Sequence, residues 1–174
     1  MRALACSLLF LGSLIASVAP VAAAEQPNIL WVIAEDMGVE LGCYGEPLVH
    51  TPNIDKLAAE GIRYTQVCAT APVCSAARSA LMTGMYQTTI GAHNHRSHRK
   101  DRYELPEGVE LLTARFRRAG YFTANIREFP GKIKGTGKTD WNFAPQQPFD
   151  SRDSAKLKSP QPLFTPIEFS ETDR

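Results

Sequence analysis

Beyond residue 24 the chain has no apolar run long enough to cross a bilayer, which takes about 20 residues. It also lacks a charge excess. Lys and Arg number 19 and Asp and Glu 18; without residues 1–24, which hold Arg2 and no acid, the two balance. That excludes the basic footprint of a nucleic-acid binder. Cysteine is scarce, with four in 174 residues, one of them Cys6 near the start. There is no internal repeat and no low-complexity tract, so a repeat array is excluded.

What is present begins with an address. Met1-Arg2 gives a positive start, Ala3 to Ala19 is mostly apolar, and Ala22-Ala23-Ala24 is a small-residue cleavage pattern before Glu25. These read as a secretory signal over residues 1–24, with a secreted or periplasmic mature part from residue 25 and no stable membrane anchor. The remaining length of roughly 150 residues suits one modest domain. Asn28 to Ala34 is a continuous apolar run and predicts a strand buried on both faces. Thr51 and Pro52 suit an N-cap and a first helical position; Ile54, Leu57 and Ala58 then form one apolar face before Gly61. Ile62 to Val67 alternates enough for a strand, and Ser75 to Met85 predicts a helix with Cys74 at its N-terminus and Gly84 near its end. A further helix is expected after Pro106 and Glu107, with Leu111, Leu112, Ala114, Phe116 and Ala119 as its apolar stripe and Gly120 as its cap, then strands over Tyr121–Ile126 and Leu163–Phe169, with a Pro- and Ser-rich connector before the last. Alternating strands and helices imply an α/β fold, a largely parallel sheet with helices on both faces.

The most informative stretch is Ala71-Pro72-Val73-Cys74-Ser75-Ala76-Ala77-Arg78-Ser79-Ala80-Leu81-Met82-Thr83-Gly84. An isolated Cys-x-x-x-Arg reads as a buried cysteine and a surface arginine. Here other segments accompany it in order: Pro27-Asn28-Ile29-Leu30 leading to Glu35-Asp36, then Thr51 to Gly61, and Gly120-Tyr121-Phe122-Thr123 after the cysteine. Together, over roughly residues 27–143, they resemble the type I sulfatases of the alkaline phosphatase superfamily. The Gly-Met-Tyr-Gln stretch at residues 84–87 and the late Gly-Lys pair are similar to the sulfamidase-like branch. The resemblance implies that Cys74 is oxidised to formylglycine, whose hydrate is the nucleophile. It implies that Glu35 and Asp36, with the modified Cys74, bind calcium or magnesium, as hard cations take several oxygen ligands. Glu35 departs from the family's usual aspartate. Arg78, one turn into the helix, and Lys138 are implied to stabilise sulfate charge. Lys132 in Gly131-Lys132 competes for the lysine role. Lys138 is preferred because Thr136-Gly137-Lys138 followed by Asp140-Trp141-Asn142-Phe143 is more similar to the family's ending. A phosphate loop at Gly131–Lys138 is incomplete in spacing.

With Cys74 so used, Cys43 and Cys68 either pair in an oxidising compartment or remain two buried thiols. His93, His95 and His98 lie among Arg96, Arg99, Lys100 and Arg102 without the spacing of a structural zinc site. Two readings stay open for that loop: a solvated basic surface, or a face that attracts a sulfated sugar. The implied partners are a sulfated small molecule or glycan and a formylglycine-generating maturase that accepts Ala76. The implied reaction cleaves sulfate esters or sulfamates. The family adds a second metal-binding pair and a leaving-group histidine. The pair is not identifiable here, and Asp173 stands where that histidine is expected. The alternative is a truncated, non-catalytic product that at best binds sulfated glycans.

Overall fold

The computed structural model describes residues 26–96, 100–129, 134–144, 147–158 and 162–169. The elements in order are β1 (Ile29–Ala34), α1 (Pro52–Glu60), α2 (Cys74–Thr83), α3 (Leu112–Arg118), β2 (Phe122–Glu128), β3 (Ser151–Asp153) and β4 (Leu163–Phe169). The four strands form one sheet in the order β1-β4-β2-β3, and every pairing is parallel. β4 is the inner strand beside β1, in register from Ile29↔Phe164 to Ala34↔Phe169. Its five central residues are buried, as expected of a parallel strand covered by its surroundings. Pro166 has no N–H to donate; the β2–β4 ladder runs over Phe122↔Leu163 and Thr123↔Phe164, ahead of it.

Side chains alternate across a strand, so Phe164, Pro166 and Glu168 share one face of β4. Phe116 of α3 stacks on Phe164 at 4.2 Å between ring centroids, and Trp31 of β1 meets the same ring at 6.3 Å. Beside this contact Met82, Ile90, Ala92, Leu111, Trp141 and Phe143 form the buried apolar cluster, with Trp141 and Phe143 stacked at 5.8 Å. α2 is pinned into it through Ser79, whose hydroxyl donates to the Ser75 carbonyl at 2.6 Å and accepts from the Asn142 amide at 3.0 Å. α2 ends where Gly84 adopts φ 67° and donates to the Ala80 carbonyl, a left-handed cap that glycine takes without strain.

The structure departs from the sequence reading in several places. β1 is covered on one face only: Leu30 and Val32 are 59% and 58% exposed while Trp31 and Ile33 turn inward. Residues 62–67 form no strand; Ile62, Tyr64 and Val67 project into solvent, and an alternating pattern without a neighbouring ladder has nothing to pair with. The helix expected after Glu107 starts at Leu112, because Gly108 at φ 80° turns the chain and Val109 donates back to the Pro106 carbonyl. The connector before β4 contains the short strand β3, paired with β2. Thr51 sits at the N-cap of α1 but its hydroxyl serves Gly42 N–H and Asp55 instead of the helix start. Cys43 and Cys68 are both free thiols, Cys43 half-buried and Cys68 exposed.

Candidate active site

The C-terminal end of β1 supplies the acids. Glu35 extends the ladder, its N–H reaching the Phe169 carbonyl at 3.2 Å, and this draws its side chain inward. Asp36 then turns out of the sheet at φ 53°; a short polar side chain tolerates that left-handed conformation better than most. Sites in parallel sheets collect at this end of the strands. Across the opening, Cys74 is the first residue of α2, half-buried, with Val73 extended ahead of it and no side chain capping the helix start. Ligand atoms of Glu35, Asp36 and Cys74 all lie within 4.8 Å of one another.

Arg78 follows one turn along α2 and points back to the same place. Its guanidinium pairs closely with Glu168 Oε1, and lies 3.6 Å from Glu35 Oε1 and 3.7 Å from Asp140 Oδ1. Lys138 Nζ pairs closely with Glu35 Oε1. The lysine loop is fixed from three sides. The Thr136 hydroxyl donates to Glu168 Oε2 at 3.2 Å, the Thr136 amide to the Glu168 carbonyl at 2.8 Å, and Asn125 Nδ2 to the Gly137 carbonyl at 3.2 Å. Gly137 takes φ 56°, where a Cβ would meet the Arg127 side chain at 2.4 Å; glycine alone fits there without displacement. Arg96 adds a third cation, its Nε 3.4 Å from Asp140 Oδ2. Three cations thus face the carboxylates of Glu35, Asp140 and Glu168. The pairing is what makes their burial tolerable, since an unpaired buried charge costs several kcal/mol, about 3–5 when one partner is removed.

All five residues singled out from the sequence (Glu35, Asp36, Cys74, Arg78 and Lys138) therefore meet at one end of the sheet. Lys132, His98 and Asp173 lie outside the described residues, as do residues 1–24, where a leader is expected. Sequence reasoning missed Glu168 and Asp140 as partners of Arg78. The available signal was Glu168 itself, one acid in an otherwise apolar strand, which burial obliges to find a cation. The donor set fits a hard divalent cation: two carboxylates lie side by side, with water able to complete the six to eight oxygens such ions take. His95 Nδ1 lies 3.2 Å from the Ser75 hydroxyl, next in sequence to Cys74.

Comparison with known proteins identifies the family. The family model described as Sulfatase matches residues 27–158. The Ulvan-active sulfatase of Formosa agariphila is 36% identical over 161 residues, covering 85% of this chain and 25% of that protein. Human arylsulfatase D is 39% identical over 140 residues, 76% of this chain and 24% of that protein. The chain thus spans about a quarter of the length of these relatives. Among solved structures, a 2-O GAG sulfatase superposes with a TM-score of 0.67 over 86% of this chain and 36% of its own, at 21% identity; that likeness concerns the fold.

Proposed function

The chain belongs to the sulfatase family, and we propose on that ground that it serves the hydrolysis of sulfate esters or sulfamates through a formylglycine made from Cys74. The observation that supports this best is the meeting of Cys74 with Glu35 and Asp36, ligand atoms within 4.8 Å, beside Arg78 and Lys138. Glu35 and Asp36 would hold a calcium or magnesium ion, whose chemistry when bound is to offset charge on sulfate oxygens. Cys74, once oxidised and hydrated, would supply one hydroxyl as nucleophile toward sulfur, its proton passing to the substrate oxygen or nitrogen as the bond from sulfur breaks, and a second hydroxyl whose deprotonation would release sulfate and restore the aldehyde. Arg78 is rigid in its three-carboxylate cradle and so presents its charge without reorganising. Lys138 supplies a second positive charge from a pinned loop. Ala76 defines the partner needed: a maturase that accepts alanine two residues after the cysteine. Residues 1–24 direct export, so N-terminal sequencing of the secreted protein starts at Glu25; no helix among the described residues is long and apolar enough to cross a membrane.

The test is co-expression with such a maturase, mass spectrometry of the Cys74 peptide, and assay of an aryl sulfate with calcium beside Cys74→Ala. Aldehyde at Cys74 with calcium-dependent turnover absent from Cys74→Ala is the expected result. A persistent thiol on an accessible chain, or equal activity in both proteins, overturns it. A second reading has one observation in its favour: the described cluster brings only two carboxylates to the cation. In that reading the chain binds sulfated glycans without turning them over, and glycan retention with no activity is its signature.

A further inference from the structure

The loop Ala92–Arg96 is held in place at several points, unlike a solvated basic surface. Asn142 Nδ2, fully buried, donates to the carbonyls of Ala92, at 2.8 Å, and Asn94. The Arg96 amide donates to the Ser75 hydroxyl at 2.9 Å, and the same hydroxyl faces His95 Nδ1 at 3.2 Å. Ser75 is wholly buried and adjoins Cys74. Arg96 also sits at φ 53°, a conformation that costs a residue with a Cβ and persists where the surroundings impose it. Its guanidinium shares buried Asp140 with Arg78: Arg96 Nε is 3.4 Å from one oxygen and Arg78 Nε 3.7 Å from the other. The two arginines differ in access. The Arg78 side chain is 10% exposed and that of Arg96 47%. Arg78 is held inside by three carboxylates, whereas Arg96 keeps about half of its side chain open to solvent.

We propose that Arg96, aided by exposed His95, is a specificity-determining residue that reads a second anionic group on the substrate, a sulfate or carboxylate beside the one cleaved. The inference rests on the sulfatase reading and narrows its substrate to saccharides bearing at least two negative groups. Asp140 fixes the guanidinium through its Nε edge, and a planar fork so oriented can engage an oxyanion with its remaining N–H groups.

The experiment is calorimetric titration of the chain carrying Cys74→Ser, which binds without turnover, with glucosamine bearing one sulfate and glucosamine bearing two. The expected preference for the doubly sulfated sugar falls roughly tenfold in Arg96→Gln, the loss of a charge-assisted hydrogen bond, and partly returns in Arg96→Lys. Unchanged melting of both variants separates recognition from folding. If the chain binds both sugars and Arg96→Gln leaves the preference intact, or weakens both sugars equally, the inference fails and the sulfatase reading stands. If it binds neither, both fall.

Discussion

Arg78 is surrounded by carboxylates in a place where nine-tenths of its side chain is hidden from water. Such a group is stable only while its partners are present. Glu168 is the closest of them, and it also accepts from the Thr136 hydroxyl. Glu168→Ala should therefore destabilise the fold by about 3 kcal/mol, near the lower bound for breaking a buried pair, because Glu35 and Asp140 still face the arginine. Glu168→Gln keeps an acceptor for Arg78 and should lose roughly half as much, close to the worth of a charged hydrogen bond. Urea unfolding of the two variants checks this; equal stability of Glu168→Ala and the unaltered chain would show that Arg78 does not depend on the contact. The same residue marks the limit of reading side chains one at a time. Cys74, Arg78 and the Glu35-Asp36 pair could be picked out because a motif and its order named them. Glu168 belongs to no motif, and Asp140, though it stands in the stretch that favours Lys138, had no role attached to it; both join Arg78 only when β4 and the loop after Lys138 are folded against α2.

Segments with strong local signals formed where the sequence put them. Asn28–Ala34 contains β1, Pro52 begins α1, Cys74 begins α2 and Leu163–Phe169 is β4 in full. Each has either a continuous apolar run or a cap and a period that agree. The failures came where pairing decides. Residues 62–67 have the alternation of a strand but no ladder beside them, whereas Ser151–Asp153 has little strand character and becomes β3 because β2 offers it an edge. Phe164 ties the elements together: it is 2% exposed, stacked on Phe116 of α3 and touching Trp31 of β1. Phe164→Ala should cost about 3–5 kcal/mol, the range for deleting a buried aromatic ring. Phe164→Leu, which refills much of the space, should cost less than about half of that. A loss under 1 kcal/mol for alanine, read from chemical denaturation, would mean that α3 does not depend on β4 for its seat.

The molecule has one well-filled side and one bare side. On the filled side lie the aromatic contacts, the apolar cluster and the charged site. On the other, Leu30 and Val32 of β1 are more than half exposed; elsewhere Leu48, Ile62 and Val67 are 91%, 82% and 75% exposed. Among the described residues β1 also ends the sheet, so its outer backbone edge has no strand beside it. Exposed apolar residues next to an unpaired edge are the combination that promotes association. Electrostatics offers little opposition, since the formal net charge is +1 for the whole chain, and repulsion between copies grows with net charge. The chain by itself should therefore self-associate at micromolar concentration and bind an apolar dye. The double variant Leu30→Lys, Val32→Lys puts two charges on the bare face of the edge strand. It leaves Trp31 and Ile33, which face inward, untouched. Light scattering should find it shifted toward monomer, with dye binding reduced about twofold or more for the apolar area removed and the melting temperature little changed. A chain already monodisperse and dye-negative without these substitutions would mean that the exposed face of β1 is satisfied by water alone. An unchanged particle size in the double variant would instead move the association away from β1, to another exposed apolar surface such as α1 with residues 62–67.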